Sequence, residues 1–323
     1  MLMLVGSALS AFAAEARDHH GLLAPRRTVA VVNTATLQAA SAPIRLGSYP
    51  SSIAISPDGG RAYVVTSGKG KVAVIDLATN RLVGNPIKIG PYPEGIAITP
   101  DGSRVYAVNY GNDSVSAIDT GTDEVVAKIR VGRGPTAIAI SPDGTHAYVT
   151  NSRDGTVSVI DTATNEAAAR AIKVGRQPLA LAVAPDGSRV YVADMRDDAV
   201  SVIDTATNTA DPREIKAGDG PSAIAISPDG DRAYVANAKD DSVSVIDTVT
   251  NKLAVRAIRV GHRPTAIAIS PVAERAYVTG LSGSLSVVNT KTNKRVGQSI
   301  TVGPFPVAIA ISPDGRRAYI VHN

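Results

Sequence analysis

The chain has 323 residues, of which 44% are hydrophobic and only 4% aromatic, and it contains no tryptophan and no cysteine. Its core is therefore expected to be built from Val, Ile and Ala, and disulfides, Cys-ligated zinc, c-type haem attachment and iron–sulfur ligation are all excluded. The net charge of +4 is scattered, with no run of five basic residues, which argues against a nucleic-acid binder.

The first fourteen residues, MLMLVGSALSAFAA, carry no charged side chain. Their length is too short for a bilayer span but fits the apolar centre of a secretory signal, with Ala11-Phe12-Ala13 or Ala14-Glu15-Ala16 as candidate cleavage triplets. The basic residues that usually open such a signal are missing. Residues 1–27 are read as signal and linker, and residues 28–323 as one folded domain.

From there the chain repeats itself. A Ser-Pro-Asp-Gly turn or a near copy places its proline at Pro57, Pro100, Pro142, Pro185, Pro228, Pro271 and Pro313, at spacings of 42 or 43 residues. That period is too long for one coil of a β-solenoid and fits a four-stranded propeller blade. In one unit, AIAIS (137–141) leads into the turn at Ser141-Pro142-Asp143-Gly144, where proline and glycine occupy their type I positions. HAYVTN and TVSVID follow, then an Asp-Thr-Ala-Thr-Asn turn and a looser fourth strand, EAAARAIKVG. β-branched residues punctuated by Pro, Gly, Asp and Asn predict a small antiparallel sheet, and helical periodicity is absent. The inner strand is apolar on both faces, as required of a sheet sandwiched between two others. Residues 28–36 copy the third strand and its turn, whereas the C-terminus stops after two strands. The fold class is therefore all-β, a seven-bladed propeller of four-stranded antiparallel blades, its closing blade shared between the N- and C-terminal segments.

Tyr148-Val149-Thr150-Asn151, Ala233-Tyr234-Val235-Ala236-Asn237 and Ala276-Tyr277-Val278-Thr279-Gly280, with the Ser-Pro-Asp-Gly and Val-Ser-Val-Ile-Asp elements, resemble the YVTN-family β-propeller repeat. The resemblance covers about residues 28–323 and differs from WD40 propellers, whose tryptophan signature is missing. It implies a secreted, periplasmic or cell-surface seven-bladed propeller. Related propellers include lactonases, the lyase that opens streptogramin rings, and the haem d1 and nitrous-oxide reductase propellers. Fold alone does not choose among these activities.

In a meander the first and third turns share one face, and the second turn and the blade-to-blade loops share the other. The first face is monotonous and reads as scaffold. On the other face the copies disagree. Its loops carry Tyr49, Tyr92, Arg133, Arg176, His262, Arg263 and Phe305, and its second-to-third-strand loops carry Tyr110, Arg153, Met195, Arg196, Lys239 and His322. Cations and aromatics around one channel mouth suit an anionic, partly planar or sugar-like ligand, with Arg133 and Arg176 offering bidentate contacts. Glu94 is the only acid directly after a loop proline, and an arginine partner that lowers its pKa is expected there.

No cofactor or metal site is expected, since Asp194, His262 and His322 lack ligand-like spacing and the pairs Asp197-Asp198 and Asp240-Asp241 read as turn formers. No nucleophile elbow, P-loop or dinucleotide fingerprint occurs. The expectation is a non-catalytic, exported, monomeric propeller without a membrane span, whose partner is a protein, a glycan or a small molecule. The alternative is a lactonase-like or lyase-like enzyme acting on a small anionic or cyclic substrate at the channel mouth.

Overall fold

The structure, a computed structural model, describes residues 27–323 except Lys69. The expected export segment lies outside the described residues. All regular structure among the described residues is β, arranged as seven antiparallel sheets. No helix among them is long and apolar enough to cross a membrane.

Blades 1 to 6 follow in chain order, with inner strands Pro50–Ile55, Pro93–Ile98, Pro135–Ile140, Pro178–Val183, Pro221–Ile226 and Pro264–Ile269. Blade 7 joins the two ends of the chain. Its inner strands are Pro306–Ile311 and Arg317–His322, and Thr28–Asn33 pairs with the latter in the register Thr28↔His322 to Asn33↔Arg317. The inner strands touch one another in a closed cycle, which leaves no inner sheet edge exposed. In blades 3 and 4 the outer strand is split into Glu166–Ala167 with Ile172–Lys173 and Thr209–Ala210 with Ile215–Lys216. Pro212 lies in the second gap, where it has no N–H to give a ladder.

The core lies between the blades. One cluster joins Val72 and Val74 of blade 1 to Ile96, Ile98 and Val105 of blade 2, and corresponding clusters recur around the ring. Crowding at the axis selects alanine at one inner-strand position in every blade: Ala54, Ala97, Ala139, Ala182, Ala225, Ala268 and Ala310, all buried. One position on the second strand does the opposite. Tyr63, Tyr106, Tyr148, Tyr191, Tyr234, Tyr277 and Tyr319 are all buried there, and a buried phenol needs a partner for its hydroxyl.

In four blades that partner belongs to the next blade. Tyr106, Tyr191, Tyr234 and Tyr277 donate to the carbonyls of Thr162, Thr248, Thr290 and Thr34 at 2.8 to 3.3 Å. The arginine that opens the second strand reaches the same carbonyl row. Arg61, Arg104, Arg189, Arg232, Arg275 and Arg317 donate to Thr120, Thr162, Thr248, Thr290, Thr34 and Leu77. Both side chains thus fasten each blade to its neighbour's outer turn. Blade 3 departs from the pattern, with His146 in the arginine's place bonding its own neighbour Thr145.

The Pro-Asp-Gly turns also do more than reverse the chain. Ser141 donates to Asp143 while accepting from His146 N–H, and Gly144 N–H closes the turn on Ser141 O at 2.9 Å. A Cβ at Gly102 would stand 3.3 Å from Pro57 of the preceding blade, and one at Gly144 3.3 Å from Pro100. Each turn glycine therefore seats the previous blade's proline. Blade 6 carries Val272 where the aspartate stands elsewhere, and there Gly315 faces Val272.

The latch account makes a paired prediction. Tyr234→Phe, which removes hydroxyl bonds to Thr290 O and Asn293 Oδ1, should cost about 1–2 kcal/mol and lower the unfolding temperature by about 2–4 °C. Tyr148→Phe, whose hydroxyl has no such bond, should stay within about 0.5 kcal/mol of wild type. Equal losses in thermal or urea unfolding would show that the hydroxyls do not join the blades.

Candidate functional site

The variable face is built by two loops per blade. The first precedes the proline of the inner strand and the second links the second and third strands. Immediately before the proline the seven blades carry Tyr49, Tyr92, Gly134, Gln177, Gly220, Arg263 and Phe305. Gly134 and Gly220 have φ of 65° and 64°, and Tyr92, Gln177, Arg263 and Phe305 adopt the same left-handed conformation at 47°, 54°, 47° and 50°. In an L residue that conformation costs roughly 1–2 kcal/mol. Tyr92 is nevertheless 62% exposed and Phe305 45% exposed, so burial of these rings does not offset the strain.

The two loops exchange size with each other. In blades 1 and 2 the first loop carries the aromatic and the second a glycine, so that Cβ atoms at Gly68 and Gly111 would stand 3.3 and 2.8 Å from Tyr49 and Tyr92. In blades 3 and 5 the order is reversed, and Cβ atoms at Gly134 and Gly220 would each stand 2.8 Å from the Cγ of Arg153 or Lys239. One large side chain thus lies over one glycine in each of these blades. Aromatic residues gather on adjoining blades 7, 1 and 2 as Phe305, Tyr49 and Tyr92, while the exposed Arg153, Arg196 and Lys239 occupy equivalent positions on blades 3, 4 and 5.

The cations expected to clamp an anion have partners of their own. Arg133 Nε lies 2.6 Å from Asp154 and Arg176 Nε 2.6 Å from Asp197, each aspartate also accepting the arginine's backbone N–H. Those carboxylates are held below their usual range by the same bonds, against a desolvation that acts the other way. Arg153 stacks on Tyr110 at 4.6 Å and donates Nε to its hydroxyl at 3.1 Å. His262 faces Asp241 at 3.2 Å. Arg27 covers the Tyr49 ring at 4.0 Å. The free bidentate arc expected from Arg133 and Arg176 is thus replaced by local ion pairs, because the second loop supplies an aspartate within each blade. Arg196 is exposed, and its guanidinium makes no hydrogen bond among the described residues.

The second aspartate of each pair crosses a blade junction, as does Asp113, which follows an asparagine. Asp113, Asp198 and Asp241, with φ of 55°, 50° and 55°, accept the N–H of Gly134, Gly220 and Arg263 on the following blade at 2.8 Å. Nothing in the local sequence reveals that reach. Among the described residues no three His, Asp or Glu side chains gather as a metal-binding group. His262 and Asp194 are not brought together, and buried His322 sets Nδ1 3.0 Å from Pro304 O.

Glu94 corrects a second expectation. No arginine among the described residues pairs with it, and burial alone pushes its carboxyl up to about 8. Its position at the head of the inner strand carries a hydroxyl in four other blades, where Ser51, Thr136, Ser222 and Thr265 donate to Pro93, Pro178, Pro264 and Pro306 carbonyls. Glu94 thus stands where a neutral donor is the rule. Asp194 repeats the theme. It takes the place of Asn109, Asn151 and Asn237, whose amides donate to two hydroxyls each. Ala199 has removed one hydroxyl, Ser201 donates to Oδ2, and Oδ1 is buried with no partner among the described residues. Desolvation, opposed by the Ser201 bond, raises this carboxyl to about 7. The only signal in the sequence was an aspartate opposite an alanine where three other blades read asparagine opposite serine or threonine.

The sequence model of a family described as "Lactonase, 7-bladed beta-propeller" matches residues 96–254. A solved structure of Kuenenia stuttgartiensis hydrazine synthase is similar at 24% identity with a TM-score of 0.76, covering 84% of this chain and 92% of that one. This likeness is one of fold. No curated protein sequence matches the chain.

Both raised carboxyls act on stability in one direction. A group with a raised folded-state pKa adds stability that is full below its unfolded value, 3.8 for Asp194 and 4.5 for Glu94, and that is lost as pH rises through about 7 and about 8. Unfolding free energy should therefore fall between about pH 4 and pH 8, with Asp194 contributing on the order of 4 kcal/mol of the decline. Asp194→Asn should flatten that slope and be more stable than wild type at pH 8. An unchanged slope in urea titrations across this range would refute the assignment.

Proposed function

We propose that this chain is an exported, monomeric, non-catalytic binding propeller whose recognition surface is the variable loop face around the axis mouth. The observation that carries the reading is the set of large residues kept in the left-handed region at exposed loop tips, Tyr92 and Phe305 above all. Two blades use glycine at the same point, so the conformation itself does not require a side chain. Strain retained where a smaller residue would relieve it points to a role for the ring. The apolar leader of the sequence supports export. The aromatic arc on blades 7, 1 and 2 suits a planar or sugar-like ligand, and the exposed cations on blades 3 to 5 offer donors across the mouth.

A second reading rests on Glu94 and on the word lactonase in the description of the matching family. A carboxyl that keeps its proton at neutral pH is suited to general acid chemistry on a cyclic ester. Turnover of a lactone panel that vanishes in Glu94→Gln would favour that reading over binding alone.

Tyr92→Gly separates function from stability. The substitution relieves the left-handed strain and removes an exposed ring, so the free protein should unfold within about 1 kcal/mol of wild type or be slightly more stable. Binding should weaken by about tenfold or more for whichever protein, glycan or small molecule the wild type captures. Affinity equal to wild type for that ligand would remove the ring from the recognition surface.

A further inference from the structure

On the turn face, opposite the variable loops, six junctions carry the arginine latch to the next blade and one does not. Between blades 3 and 4 the arginine is His146, whose Nδ1 lies 2.7 Å from Thr145 Oγ1 of its own strand end. The acceptors meant for a guanidinium are all still there. Tyr148 holds the tyrosine position and is buried, yet its hydroxyl makes no hydrogen bond among the described residues. Thr205 heads the next blade's outer turn as Thr162 and Thr248 do, and no side chain among the described residues donates to its carbonyl. Asn208 corresponds to Asn165 and Asn251, whose Oδ1 atoms accept from Tyr106 and Tyr191 at 2.8 and 2.9 Å. Asn208 is exposed, whereas those two are half-buried.

The local charge suits a cation. Asp161 is the direct cross-strand partner of His146, and Asp143 sits in the turn just before it. In four of the other blades the equivalent aspartate faces the arginine that His146 replaces, as Asp119 faces Arg104 and Asp247 faces Arg232. Arg189, the nearest cation of that kind on blade 4, is committed to Thr248 O at 2.7 Å.

We infer that the junction of blades 3 and 4 is a binding site for a guanidinium group supplied from outside the chain, seated between Tyr148, Thr205 and Asn208 and flanked by Asp143 and Asp161. Six junctions of the same fold seat one of the chain's own arginines on the equivalent carbonyl, and at three of them the asparagine equivalent to Asn208 stands beside the tyrosine. A planar donor with several N–H groups satisfies a row of carbonyl, amide and phenol oxygens that a compact ammonium cannot span. The site is independent of the loop-face reading, since it lies at the other end of the blades. The guanidinium comes either from a free guanidino compound or from an arginine of a partner protein.

The test uses the full chain and its His146→Arg variant, which supplies the missing group internally. Methylguanidinium and agmatine should raise the unfolding temperature of the wild type by a few degrees relative to the variant, whereas butylammonium should not. In calorimetry a short arginine peptide should bind the wild type at least about tenfold more tightly than His146→Arg, and Asn208→Ala, an exposed substitution, should weaken it likewise. A peptide that outbinds agmatine identifies a protein partner as the source, and comparable affinities identify a free guanidino compound. Equal responses in wild type and His146→Arg, or butylammonium acting as well as methylguanidinium, would overturn the inference.

Discussion

The ring stands on one interaction that recurs around it: a second-strand tyrosine buried in every blade, whose hydroxyl reaches the outer turn of the next blade in four of them, and the arginine two residues before it, which does so in six. The tyrosine alone is present in all seven blades, because its ring fills the layer between sheets. Its hydroxyl then has to be satisfied in an otherwise apolar layer, and the nearest acceptors are backbone carbonyls of the neighbouring turn. In four blades that bond is made to the next blade's outer turn. The seated proline of the Pro-Asp-Gly turns and the alanines near the axis add contacts between the same neighbouring blades.

A scaffold fixed in this way leaves the other face free to vary. The exchange between Tyr92 over Gly111 and Gly134 under Arg153 shows that variation is still constrained in volume. Space above each glycine admits one large side chain, and either loop can supply it. The strain at Tyr92 and Phe305 is therefore carried on the one face where the scaffold does not dictate identity. Stability there is traded against the presentation of a ring to solvent.

The departures from the repeat are where unusual chemistry collects. Glu94 replaces a hydroxyl, Asp194 replaces an asparagine amide, and His146 replaces an arginine, and each lacks a hydrogen bond that the equivalent side chain makes in other blades. In the first two the consequence is a carboxyl that holds its proton near neutral pH. For the third it is a set of acceptors without their cation. A repeat protein makes such sites readable, since six neighbouring copies state what the position ordinarily contains.

By itself the sequence determined the seven units, the strand order within each blade, the shared closing blade and the division into a uniform and a variable face. Those features are local or periodic: turn residues with fixed dihedrals, β-branched runs, and a 42- or 43-residue spacing that the closing segment at 28–36 completes. Only the tertiary structure decided the charges. Whether Arg133 is free or tied to Asp154 and whether Asp241 stays in its turn or bonds the next blade depend on groups about 20 residues apart brought within 3 Å, and whether Glu94 meets an arginine or is buried without one depends on how the blades pack around it. Sequence neighbours do not reveal such pairings, because they are set by the offset between blades and by how much water that offset excludes.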